Sequence, residues 1–268
     1  MRALWAKVMP TQQHLRAAYS LDSGSQELVY VAGPLLATGA VLLSGPSVAL
    51  GLTAGLGLAG ALVVALSPSS RSWMPAPRKR HDPLGALRPL EARVLLLALV
   101  AVGSALGALN VAALAASERH AASWMAGAVP AAVSIGALIG SALYAGRRWP
   151  GSDATHLAWA AGGFVLAWLP LCLDPAPLMT VALAVVPGVF FGPLLTASYL
   201  VLDQATPPSC TVEAFGWLVG AFGVGTALGQ AAAGAGNGTW AGPTAAAAIA
   251  FGLLLLIRRL TDKTRPLH

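Results

Sequence analysis

The residues of this chain that can do chemistry are few, and their placement argues against catalysis. The carboxylates are Asp22, Glu27, Asp82, Glu91, Glu118, Asp153, Asp174, Asp203, Glu213 and Asp262. Each falls at the edge of an apolar run or between two runs, and none falls in the middle of one. An ionised side chain at mid-membrane is costly, and where one occurs it marks an ion or proton path; no acid here has that placement. His14, His81, His120, His156 and His268 lack the short spacings that hold a metal. No glycine loop leads to a phosphate-binding lysine, and no serine has a histidine and an acid at its depth. The chain therefore reads as a non-enzyme, with no catalytic residue, no metal site and no cofactor.

The polar residues within apolar runs are the second group that can do work. Asn110 and Gln230 stand out, because a carboxamide in lipid is costly unless hydrogen-bonded. Two readings remain open for them. Either they bond between helices, worth about 0.6–2 kcal/mol each, or they line a central cavity together with Tyr30, Trp124 and Tyr199. Cys172 and Cys210 fall near opposite ends of the expected helices, too far apart for a disulfide, which needs Cα atoms within about 7 Å.

The elements that must position these groups follow from hydropathy. Of 268 residues, 56% are hydrophobic and only 10% charged, with a mean hydropathy of +0.70. A soluble domain carries roughly 25% charged residues, so this chain cannot cover a water-facing surface. The net charge of +6 does not point to nucleic acid, because the basic residues sit in short gaps between apolar runs, with no basic face interleaved with aromatics. About eight runs are long enough to cross a bilayer as helices: Glu27–Leu43, Val48–Leu66, Val94–Ala116, Ser123–Ala145, His156–Leu173, Leu178–Leu202, Val212–Gly234 and Trp240–Ile257. None shows strand-like alternation. The predicted fold class is an all-α membrane protein. Polar residues break up any signal-peptide core in Met1–Gln26.

Orientation follows from the positive charges. With the N-terminus placed in the cytoplasm, 15 of the 16 lysines and arginines fall on the cytoplasmic side, and only Arg119 falls outside. This predicts a multi-pass protein of the plasma or inner membrane with both termini cytoplasmic. The long gap 67–93 carries Pro68, Pro75, Pro77, Pro83, Pro89 and the cluster Arg78-Lys79-Arg80, and reads as a cytoplasmic linker. It divides a two-helix unit, 1–66, from a six-helix unit, 94–257, which leads into the tail 258–268.

Within the spans, glycines recur one turn apart: Gly51/Gly55, Gly103/Gly107, Gly136/Gly140, Gly188/Gly192, Gly216/Gly220 and Gly225/Gly229. Such pairs let helix backbones approach closely. Pro34, Pro130, Pro187 and Pro193 lie inside spans, where each removes a hydrogen bond and can kink its helix.

Several segments resemble the major facilitator superfamily of transporters. ELVYVAGPLLATGAV at Glu27–Val41 is similar to that family's fifth helix in a bacterial drug-efflux-like branch, and AYSLDSGSQE at Ala18–Glu27 to the loop before it. SYLVLDQATPPSCTVEAFGWLVGAFGVGTALGQ at Ser198–Gln230 resembles the end of helix ten, its loop and helix eleven. GSALYAGRRW at Gly140–Trp149 resembles the degenerate second copy of the family's basic loop motif. Tyr19, Asp22, Glu27, Gly33 and Gly39 weakly echo Tyr199, Asp203, Glu213, Gly220 and Gly225.

The resemblance implies a chain matching helices five to twelve of a two-lobe fold, without the first four and thus truncated. It implies secondary transport by alternating access, namely efflux of small neutral or apolar compounds. The bilayer and a small-molecule substrate are then the partners, with a coupling proton and, if the short form is real, a complementing membrane subunit. It also implies that Arg147 and Arg148 pair with Asp203 and Glu213 to close the cytoplasmic side, with Asp22 and Glu27 doing the matching job in the first lobe. The same arginines equally suit plain anchoring by the positive-inside rule. The competing reading of the whole chain is a non-transporting structural or partner-binding membrane protein.

Overall fold

A computed structural model describes residues 14–15, 17–22, 29, 36, 40, 43–68, 85–147, 149–207 and 210–264. Among the described residues the chain is helical, with no strand, and seven helices are long and apolar enough to cross a membrane. The protein is an all-α, multi-pass membrane protein. The helices are α1 Pro46–Leu66, α2 Leu90–Arg119, α3 Met125–Ala145, α4 Asp153–Trp168, α5 Pro177–Ala205, α6 Thr211–Ala235 and α7 Ala241–Thr264. The span expected at Glu27–Leu43 lies mostly outside the described residues.

Local chemistry sets the helix ends. Pro46 and Pro177 start α1 and α5, where a missing N–H is no loss and φ is already helical. Ser152 caps α4, accepting from the Thr155 N–H at 3.2 Å. A 3-10 turn, Leu169–Leu173, carries α4 to the membrane edge and ends at Asp174 in the left-handed region, φ 48°. Pro130 in α3 and Pro187 and Pro193 in α5 are accommodated without ending either helix.

Helices α2 to α7 form one bundle. α2 is its most buried member, with 67% of its apolar window inside the protein, whereas only 6% of the window of α1 is buried. The strongest packing pairs α2 with α6 and α3 with α5, followed by α2 with α7, α4 with α5 and α4 with α7. This set is unchanged when α2, α3 and α4 are exchanged for α5, α6 and α7. Each half has three helices, an odd number, so the second half enters from the face opposite to the first. The bundle is an inverted repeat.

The glycines confirm the repeat at atomic level. A Cβ on Gly103 or Gly107 of α2 would collide with the carbonyls of Phe222 and Thr226 on α6. One on Gly225 or Gly229 of α6 would strike the carbonyls of Val100 and Ser104. In the other pair, Gly188 and Gly192 of α5 lie against Val133 and Ala137 of α3, and Gly136 and Gly140 against Val185 and Val189. The two contacts are the same contact repeated: Gly103 and Gly107 correspond to Gly188 and Gly192, and Gly136 and Gly140 to Gly225 and Gly229. Backbones this close gain dispersion along their whole length. The Ser104 hydroxyl adds a bond to the Gly225 carbonyl at 3.0 Å. A Cβ on Gly51, Gly55, Gly216 or Gly220 would meet none of the described residues.

A chain of aromatic rings fills the core between the halves. Phe222, Phe191, Phe164 and Trp168 follow one another at centroid distances of 5.9, 6.3 and 5.7 Å. Trp168 is fully buried, and its indole N–H has no partner among the described residues.

Candidate functional site

The bundle has a basic end, carrying Arg88, Arg93 and Arg147, and an opposite end, carrying Arg119. The helical residues 17–22 dock at the basic end, against the last turns of α5 and the first turns of α6. Tyr19 is wholly buried there between Tyr199 and Phe215, with ring centroids at 5.8 and 6.1 Å, and Tyr199 meets Phe215 edge-on at 5.4 Å. Edge-on and tilted pairs suit the ring quadrupoles. Beside them Ser20 donates to the Thr196 hydroxyl at 3.4 Å, a long bond between two buried groups. This junction ties the chain before α1 to the second half of the bundle.

The carboxylates expected to act here are close by. Asp22 and Glu213 are half-buried at the junction, and Glu213 lies in the first turn of α6, where the helix dipole favours negative charge. Asp203 is half-buried near the end of α5 and makes no hydrogen bond or ion pair with a described residue. Arg147 is exposed and likewise makes no ion pair among the described residues. Glu27, Tyr30 and Arg148 lie outside the described residues. Of the cavity candidates, Tyr199 is buried in the aromatic junction. Asn110 is exposed on α2 and donates to its own helix at the Leu106 carbonyl, 3.3 Å. Gln230 is exposed on α6, its backbone nitrogen against Gly107, and its side chain has no partner among the described residues. Trp124 is 48% exposed, just before α3.

Two polar clusters, one at each end, were not apparent in the sequence. At the basic end, the buried His156 sets Nε2 3.0 Å from the Pro150 carbonyl and Nδ1 2.9 Å from the Tyr144 hydroxyl. A carbonyl only accepts, so Nε2 carries the proton, and in the neutral ring Nδ1 accepts from Tyr144. Trp149 stacks on Tyr144 at 6.1 Å. Beside this, Gln204 at the end of α5 donates to Asp153 at the start of α4, at 2.8 Å.

At the opposite end, Arg119 binds Asp174 with two parallel bonds of 3.0 and 3.1 Å. The buried Trp240 donates its indole N–H to the same carboxylate at 3.1 Å, and His120 Nε2 lies 3.7 Å away. The bond from Arg119 is the main reason that the Asp174 carboxyl is held below the usual carboxylate range; Trp240 adds to this, and partial burial opposes it. Arg119, the one arginine or lysine at this end among the described residues, is thus a clasp joining α2, the α4–α5 turn and the start of α7. Trp168 and Trp240 are both buried.

No protein-family model matches the chain, and no curated protein matches it at a significant level.

Proposed function

We propose that the chain is a secondary transporter polypeptide that works by alternating access and resembles major facilitator efflux proteins. The observation that carries this reading is the inverted repeat, with its two reciprocal glycine contacts. Inverted three-helix repeats are a common way to build a transporter lobe, because two packings of like halves are near in energy and exchange by rocking. Backbone-to-backbone glycine seams suit such motion, since they present smooth surfaces without interlocked side chains.

In this reading the basic end faces the cytoplasm of a plasma or inner membrane, in keeping with the positive-inside rule. The Tyr19–Tyr199–Phe215 junction closes that side, with Asp22, Asp203 and Glu213 near the water. Asn110 and Gln230 offer carboxamides to a solute. Two neutral amides and no mid-span charge suit small neutral or apolar compounds, with a proton as coupling ion.

The test is flux in vesicles containing the full natural protein. Uptake or efflux of a neutral solute that collapses when the proton gradient is dissipated supports the reading, and Tyr19→Ala then raises leak while lowering coupled flux. No flux across a broad solute panel sinks it. One observation favours the second reading, a partner-binding membrane protein without transport. Helix α1 exposes nearly its whole surface among the described residues, and a complementing membrane subunit would cover it.

A further inference from the structure

Helices α6 and α7 both pack on α2 but touch each other little, and a cleft of about 330 Å³ remains between them in the half of the bundle near Arg119. Its floor is Ser104 and Ala108 of α2; its walls are Ala233 of α6 and Gly242 and Ala246 of α7. Asn237 and Thr239, in the loop joining the two helices, stand at its polar end. Leu228, Ala232 and Gly242 along it are exposed, so it opens on the outside of the bundle.

The cleft cannot close by sliding α6 and α7 together. α6 is locked to α2 by the glycine seam, where Gly229 abuts the Ser104 carbonyl. α7 is held at its start by the Trp240–Asp174 bond. The joining loop is pinned as well: Gly238 has φ +57°, and a Cβ there would strike Ala115 of α2.

The inverted repeat supplies an independent comparison. The matching cleft lies between α3 and α4 on α5. In the register set by the glycines, Tyr144 corresponds to Ala233. α4 and α7 share that register, because Gly162 faces Phe251, its own counterpart; Leu157 therefore corresponds to Ala246. Tyr144 and Leu157 are buried, at 4% and 0% exposure, and the Tyr144 hydroxyl reaches across from α3 to His156 on α4. One half of the repeat fills its cleft with its own side chains. The other half has alanine at both positions and leaves the space open.

We propose that the cleft between α6 and α7 is a binding site for one alkyl chain of a membrane lipid, with the headgroup beside Asn237 and Thr239. Away from that polar end the cleft offers water few of the polar partners it needs, and left empty its lining would lose dispersion contacts. The space admits about ten groups of methylene size, taking ~30 Å³ for each as for a water molecule. An amide and a hydroxyl at the water end suit the ester and headgroup region. The site does not depend on transport.

The experiment uses the full protein in phosphatidylcholine vesicles doped with phosphatidylcholine carrying a diazirine in one chain. After irradiation, adducts are mapped by mass spectrometry. Helix α1, exposed on nearly all sides among the described residues, is the reference for contact with bulk lipid. The expected result is several-fold more adduct per exposed residue at 228–246 than on α1. Ala233→Tyr and Ala246→Leu, which restore the bulk of the other half, should bring that excess down to the α1 level. If the tyrosine variant does not stay monodisperse, Gly242→Leu serves, since a Cβ there meets Ala108 only at an ordinary 3.6 Å. Labelling equal to that of α1, or an excess insensitive to these variants, overturns the proposal. So does competition by free decanol but not by unlabelled phosphatidylcholine, which would assign the site to a soluble amphiphile.

Discussion

Asp174 shows how much one residue can organise when it sits where three elements meet. Its carboxylate takes two bonds from Arg119 and one from the buried Trp240 indole. The two partners differ in what their loss costs. Arg119 and Asp174 are each 38% exposed, and a surface ion pair contributes at most about 1 kcal/mol. Asp174→Ala instead leaves a buried indole N–H unpaired, a cost of about 1–3 kcal/mol. In detergent thermal unfolding, Asp174→Ala should therefore lower stability more than Arg119→Gln. The pH dependence has a definite sign. The folded carboxyl ionises below its ordinary value, so the clasp stabilises fully above an unfolded pKa of about 3.9 and is lost as pH falls through the lower folded value. Melting measured from pH 6 down to pH 3 should drop more for the natural protein than for Asp174→Ala. Equal slopes would mean that the clasp contributes nothing.

At the scale of the helices, identical local motifs have opposite fates. Gly225 and Gly220 both sit one turn from another glycine in α6, yet Gly225 lies against the Val100 carbonyl while Gly220 meets none of the described residues. A leucine at Gly225 must push α2 and α6 apart against backbone, which does not yield as a side chain would. The expected destabilisation of Gly225→Leu is at least about 1–3 kcal/mol, whereas Gly220→Leu should leave folding unchanged. Gly140→Leu, at the counterpart of Gly229 in the other half, should behave like Gly225→Leu. Size-exclusion profiles and melting curves of the three variants check this directly. If Gly220→Leu were as damaging as the others, α6 would have a close partner on its open face.

For the whole molecule, the inverted repeat places the two halves across the membrane in opposite senses while the basic residues gather at one end. If that end is cytoplasmic, a membrane-impermeant thiol reagent should modify Asn237→Cys in intact cells and Arg147→Cys only after permeabilisation, in a background without Cys172 and Cys210. The reverse pattern would invert the topology. The two clasps also correspond under the repeat. Gln204 at the end of α5 ties to the start of α4, and Arg119 at the end of α2 ties, through Asp174 and Trp240, to the start of α7. Each long helix is thus fastened to the third helix of the opposite half, once at each face.

Hydropathy and charge by themselves determined that this is an all-α membrane protein, and they located seven of its spans to within a few residues. Both properties are local: a run of about twenty apolar residues must be helical in lipid, whatever its neighbours, because no water is present to satisfy its backbone. The glycine pairs were also visible, but which of them pack was not, since a glycine carries no mark of the backbone it will face. Tertiary structure alone decided that Gly103 and Gly107 meet α6 while Gly51 and Gly55 meet nothing described. The same limit hid His156 behind Tyr144, Arg119 beside Asp174 and Tyr19 beside Tyr199. Each of these pairs joins residues from different elements, and their meeting depends on which helices neighbour one another. That choice comes from the summed packing of whole helix faces, which no single spacing in the sequence encodes.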